Sequence, residues 1–183
     1  MLRIHTPPSI DEAPAESRPL LEAVKKMIGS VPNVFRLASN SPAALEGYVG
    51  LLGALAKGRL PAPTHERIAL AVAEANGCDY CLSAHTYLGK NVAKLDEAEM
   101  AANRRGSSND SHAIAAVRFA RQVMERRGHV SDTELKAVRD AGYSEAEVIE
   151  IVQHVALNTW TNYVNSVAQT AIDFPVISAR KVA

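Results

Sequence analysis

The sequence carries no net charge, no long apolar run and only two cysteines, and each scarcity removes a class of function. Lys+Arg and Asp+Glu balance at 20 each, for a formal net charge of +0. Such a chain offers no basic footprint for nucleic acid or for an anionic membrane surface. The apolar stretches are short. Val49 to Ala56 is typical and is broken by glycine, against the about 20 apolar residues that a bilayer-crossing helix needs. Met1 to Pro8 lacks the apolar core of a secretory signal. These absences point to a soluble, cytoplasmic protein. In a reducing compartment a lone cysteine pair serves catalysis or metal binding more often than it serves as a staple. A chain of 183 residues with 47% hydrophobic content buries enough core to do without one.

Strand-like alternation is missing as well, and no low-complexity stretch or internal repeat is visible. Helix signals fill most of the chain instead. The length suggests one domain: residues 1–18, with Pro7, Pro8 and Pro14, read as an extended arm, and residues 19–183 as a single all-α domain. Pro19 to Ile28 is amphipathic and stops at Gly29. Val31 to Leu37 reads as a short helical turn. Ser41-Pro42 caps a helix expected to run to about Lys57. The next helix is expected over Thr64 to Ala75, with Asn76-Gly77 as its stop, and another from Cys78 to Lys90. Asp96, Ser131 and Ser144, each followed three residues later by a glutamate, start three further helices, and another covers Ser111 to Arg127. The last helix is expected over about 144–171.

Residues suited to chemistry gather between Glu66 and His85. Cys78 and Cys81 are three apart, a spacing that puts both on one helix face and within the roughly 7 Å Cα separation a disulfide requires. A helix starting at Cys78 would offer free backbone N–H groups that favour a thiolate. His85 lies one turn past Cys81, where an imidazole can take and return the thiol proton. Spacing alone leaves three readings open: a redox dithiol, half of a zinc site needing His85 and one more ligand, or two buried cysteines without function. Glu66 cannot be placed by spacing. Along an unbroken helix it would sit about a third of a turn from Cys78, so it reaches the pair only if the chain folds back at Asn76-Gly77.

The pattern of Glu66, eleven residues, Cys78-Asp79-Tyr80-Cys81, three residues and His85 resembles the AhpD-like alkylhydroperoxidases of the carboxymuconolactone decarboxylase superfamily, as does the surrounding text Ala75 to His85. The likeness spans roughly residues 40–125, and the flanks resemble a longer peroxidase-related subgroup. It implies the all-helical AhpD-like bundle, assembled as a homo-oligomer (trimer or hexamer). It implies a thiol-dependent hydroperoxide reductase in which Cys81 is the peroxidatic thiol and Cys78 resolves its sulfenic acid into a Cys78–Cys81 disulfide. His85 would activate Cys81, and Glu66 would orient His85 or relay its proton. No bound cofactor or metal is implied. Electrons would come from an external thiol protein or a lipoyl-type reductant, the donor in one branch. Some members carry a histidine between the cysteines, where Tyr80 stands here, and phenol is a poor base near neutral pH. The lactone-decarboxylating branch lacks the dithiol. The competing readings are a redox-sensing or zinc-binding helical protein without catalysis, and a decarboxylase-like enzyme.

The last helix carries a polar stripe of His154, Asn158 and Asn162 at intervals of four, with Asn165 behind, in an otherwise apolar sequence. Together with Tyr80 these are candidate pocket residues. The alternative is that the stripe bonds to neighbouring helices, as buried polar groups usually do. His65, His112 and His129 read as surface groups, and Arg118, Arg121, Arg126 and Arg127 as a solvated face. Apolar residues in excess on the last helix would suit a subunit contact.

Overall fold

The computed structural model describes residues 3–180; Met1 and Leu2 of the expected arm and residues 181–183 of the expected domain lie outside them. The described residues form an all-α fold: α1 Arg18–Ile28, α2 Asn33–Ala38, α3 Pro42–Leu55, α4 Ala62–Ala75, α5 Asp79–Asn91, α6 Glu97–Arg104, α7 Ala113–Glu125, α8 Asp132–Asp140 and α9 Glu145–Ala168. None of these helices is long and apolar enough to cross a membrane.

Local signals set most of the boundaries. The Ser41 side chain accepts from the Ala44 N–H, with Pro42 in the first turn of α3. Ser131 with Glu134 and Ser144 with Glu147 close two full capping boxes, each able to contribute about 1 kcal/mol. Three expected ends move inward, α7 stopping at Glu125 rather than Arg127. Helix α3 stops at Leu55 rather than near Lys57, and α9 stops at Ala168 because Gln169 takes a left-handed conformation with φ 52°. Helix α4 begins two residues early, at Ala62, since Pro63 fits the first turn, where no intrahelical N–H bond is needed.

Helix α4 is the axis of the molecule. Ile68, Leu70, Ala71, Val72 and Ala73 are fully buried on every side, and α5, α6, α7 and α9 all pack against this helix. A helix apolar all round is a core helix. One core lies between it and α7, α8 and α9, around Ile68, Phe119, Val138 and Ile151. The other lies toward α1, α2 and α3 and includes Leu21, Leu45, Leu82 and both cysteines. The arm is not free: Pro7 and Ala13 are buried, and Asn40 Nδ2 donates to the His5 carbonyl at 2.7 Å. The segment after α9 runs back over the start of α5. There Ile177 N–H donates to Ser83 Oγ at 2.9 Å and Ala179 N–H to Asp79 Oδ1 at 2.8 Å.

Candidate active site

The α4–α5 junction brings the site together. Gly77 adopts φ 66°, its N–H donates to the Glu74 carbonyl at 3.1 Å, and the Cys78 N–H donates to the Ala73 carbonyl at 3.0 Å. This double closure at a left-handed glycine is the Schellman helix stop. Cys78 is therefore the last residue of one helix stop and the N-cap of the next helix, where its Sγ accepts from the Cys81 N–H at 3.4 Å. The reversal lays α5 back along α4, and His85 Nδ1 meets Glu66 Oε2 at 2.9 Å. Asn76 Nδ2 donates to Asn162 Oδ1 at 2.9 Å, which ties the turn to α9.

Both thiols are free and buried. The expectation of a thiolate at Cys78 from its place at a helix start is reversed. Cys78 is pushed up, chiefly because its S–H bonds to Cys81 and then by burial. Cys81 is pushed down, first by that same bond from Cys78, against the cost of burial, and then by the charge of His85 and the amides of Asn165 and Asn162. The helix start does contribute: the Cys81 N–H bonds to Cys78 Sγ and eases the Cys78 shift. It is outweighed because the proton the pair shares is better held on Cys78. Asn165 Nδ2 lies 3.4 Å from Cys81 Sγ. Burial opposes the charge on His85, but the facing Glu66 carboxylate prevails and the imidazole is raised above its ordinary value. The side chains of His85 and Glu66 remain 22% and 19% exposed, so this edge of the site reaches solvent.

The remaining candidates divide. Tyr80 borders a cavity beside Cys78, but its hydroxyl turns into the core, where it accepts from the Val34 N–H at 3.0 Å. Asn158 Nδ2 donates to the His154 carbonyl one turn back, at 2.8 Å. His154 is buried and stacks on His65 with ring centroids 4.3 Å apart. Burial first, then the neighbouring His65 and His85, holds it neutral, with a pKa near 3. His65 is thus not the surface group expected of it: α4 presses it against α9 and its Nε2 is buried. His112 and His129 are exposed, as are Arg118, Arg126 and Arg127, while Arg121 is half-buried. Tyr48, unremarked in the sequence, stacks between Phe35 and Trp160 at 4.8 and 5.1 Å. Burial, with Cys81 and Glu66 adding to it, keeps its phenol neutral. Among the described residues no three His, Cys, Asp or Glu side chains converge in a way that could hold a metal ion.

Residues 42–126 match the model of the carboxymuconolactone decarboxylase family. No curated protein matches the chain. Among solved structures, an uncharacterised peroxidase-related protein from Ralstonia eutropha JMP134, described as an alkylhydroperoxidase AhpD core, superposes with a TM-score of 0.81 at 21% identity, over 92% of this chain and 91% of its own. A peroxidase-related protein from Silicibacter sp. TM1040 gives 0.78 at 20% identity, over 93% and 94%. A cysteine-to-alanine variant of the debrominase Bmp8, in complex with 2,3,4-tribromopyrrole, gives 0.77 at 20% identity, over 94% of each chain. At these identities the structural likenesses speak for the fold, and the family match covers the helices that build the dithiol site. Over residues 42–126 the chain is thus similar to the carboxymuconolactone decarboxylase family, and it shares its fold with the AhpD-like peroxidase-related proteins.

Proposed function

We propose that the protein is a thiol-dependent hydroperoxide reductase that cycles Cys78 and Cys81 between dithiol and disulfide. The observation that carries this reading is the environment of Cys81: Asn165 Nδ2 on its sulfur at 3.4 Å, the charge of His85 nearby, and Cys78 as internal proton donor. A thiolate so held is the form that attacks an O–O bond.

The Cys81 thiolate attacks the distal peroxide oxygen, the O–O bond breaks, and the alkoxide takes a proton from His85 to leave as alcohol. Glu66 holds the imidazole in register and favours its charged form. Cys78, three residues away, then attacks the Cys81 sulfenic acid; water leaves and the disulfide forms. The hydrogen of the hydroperoxide and the protons given up by His85 and Cys78 make up the three O–H hydrogens of alcohol and water. Two electrons from an external thiol or lipoyl-type reductant restore the pair. The protein would work in the cytoplasm as a homo-oligomer, trimer or hexamer; the exposed Ile149, Val152, Tyr163 and Val167 on α9 support α9 as the subunit contact.

The test is rapid-quench oxidation of Cys78→Ser and Cys81→Ser proteins with one equivalent of an alkyl hydroperoxide. The reading expects a sulfenic acid trapped on Cys81 in the first and negligible oxidation in the second; sulfenylation of Cys78 in both the wild type and Cys81→Ser would reverse the roles. The likeness to Bmp8 raises a second substrate class for the same dithiol, a bromopyrrole. The pair would supply two electrons and two protons, one proton ending on carbon and the other leaving with bromide. Bromide release without peroxide turnover would favour that class.

A further inference from the structure

A cavity of about 350 Å³ opens beside the dithiol, bounded by Gly77, Cys78, Asp79, Asn165, Gln169 and Thr170 among others. Cys78 lines it and Cys81 does not. Two buried polar atoms among its walls have no partner among the described residues: Asn165 Oδ1 and Thr170 Oγ1. Their residues are 3% and 7% exposed. Buried polar atoms left unpaired cost about 1–3 kcal/mol each, so a wall carrying two of them suits an occupant that supplies hydrogen bonds. The walls include one acidic side chain, Asp79, and no lysine or arginine. His85 and Glu66, 22% and 19% exposed, are not among its walls.

We propose that this cavity is the port through which the reductant enters, and that it takes a neutral thiol or dithiol bearing a hydrogen-bonding group, which attacks Cys78. This rests on the dithiol cycle proposed above. The external thiolate forms a bond to Cys78 Sγ, the Cys78–Cys81 bond breaks, and Cys81 leaves with the electron pair as thiolate. A second thiol attacks the external sulfur of the mixed disulfide, and Cys78 leaves and takes up the proton of that thiol. Two external thiols become one external disulfide, and the protein regains its dithiol.

Both cysteines are 3% exposed, but only Cys78 lines the cavity; exchange is faster at the sulfur a thiol can reach and with the better-stabilised leaving thiolate, and both conditions select Cys78 as the target. The bond from the Cys78 thiol is absent at that step. The departing Cys81 sulfur is received by the Asn165 amide at 3.4 Å and by the charge of His85. Attack at Cys81 would instead expel Cys78, whose thiolate is disfavoured by burial.

The experiment uses the full chain oxidised with diamide, so that it does not depend on peroxide reactivity. Substoichiometric 2-mercaptoethanol is added, the reaction is quenched in acid, and the mixed disulfide is mapped. The expected adduct lies on Cys78; an adduct on Cys81 overturns the proposal. Gln169→Trp and Ile172→Trp, at the exposed and half-buried walls of the cavity, should each slow reduction by 2-mercaptoethanol about tenfold by denying access, while oxidation of the reduced protein by hydroperoxide stays at the wild-type rate. Glutathione, an anion, should reduce the wild type more slowly than 2-mercaptoethanol at equal thiolate concentration. Unchanged reduction in both variants would also overturn the proposal. A protein that reacts through Cys78 with thiols but fails to oxidise with peroxide would keep the port and sink the peroxidase reading.

Discussion

Replacing Asn165 by leucine removes one hydrogen bond to the reactive sulfur and little else. The residue is 3% exposed, leucine matches its shape, and its Oδ1 has no partner to lose. Its Nδ2 donates to Cys81 Sγ at 3.4 Å. Hydrogen bonds to charged groups contribute about 1.5–3 kcal/mol, and a long bond to sulfur belongs at the low end. With about 1.36 kcal/mol per pKa unit, the Cys81 thiol should rise by about one unit. At a pH below both values the thiolate fraction then falls about tenfold. The assay is the rate of iodoacetamide alkylation at Cys81 against pH, followed by peptide mapping. The midpoint should move upward by about one unit while thermal stability holds. A midpoint that stays put would remove Asn165 from the account. One that moves down would mean that the amide oxygen, not the nitrogen, faces the sulfur.

Other positions give independent checks. Glu66→Gln removes the carboxylate that raises His85. A raised imidazole stabilises the fold fully below its ordinary value of 6.5, and that stabilisation is lost as pH rises through the higher folded value. The Tm advantage of wild type over Glu66→Gln should therefore shrink as pH rises through that window, and a constant difference would argue against the pair. Gly77→Ala meets no neighbouring atom but keeps φ 66°, so it should cost about 1–2 kcal/mol in urea unfolding from backbone strain alone. Tyr80→Phe leaves the buried Val34 N–H without its acceptor and should cost about 1–3 kcal/mol with the Cys81 alkylation profile unchanged. A shifted profile would bring Tyr80 into the chemistry.

What could be read from the sequence follows how local each cause is. Capping boxes at Ser131 and Ser144 depend on residues three apart and were legible to the residue. The same holds for Asn76-Gly77, whose left-handed glycine reverses the chain. The end of α9 was not legible, because Gln169 takes the left-handed conformation with no glycine to announce it. The pairing of Glu66 with His85 follows from the reversal only once α5 is known to lie along α4, which spacing cannot supply. His65 looked like a surface group because it sits among prolines near a helix start; its burial comes from His154, on a helix far along the chain. The direction of the thiol shifts was hidden for a related reason. A helix start acts on Cys78, but the bond between the sulfurs and the amide of Asn165, 84 residues away, decides which of them holds the charge.

The central claim is that Cys78 and Cys81 form one redox unit that peroxide oxidises. Intact mass after brief treatment with less than one equivalent of hydroperoxide tests it most directly. The account predicts a loss of two hydrogens, mapped by peptide analysis to a Cys78–Cys81 bridge and reversed by a dithiol. An unchanged mass, or oxygen added to either cysteine with no bridge, would contradict it.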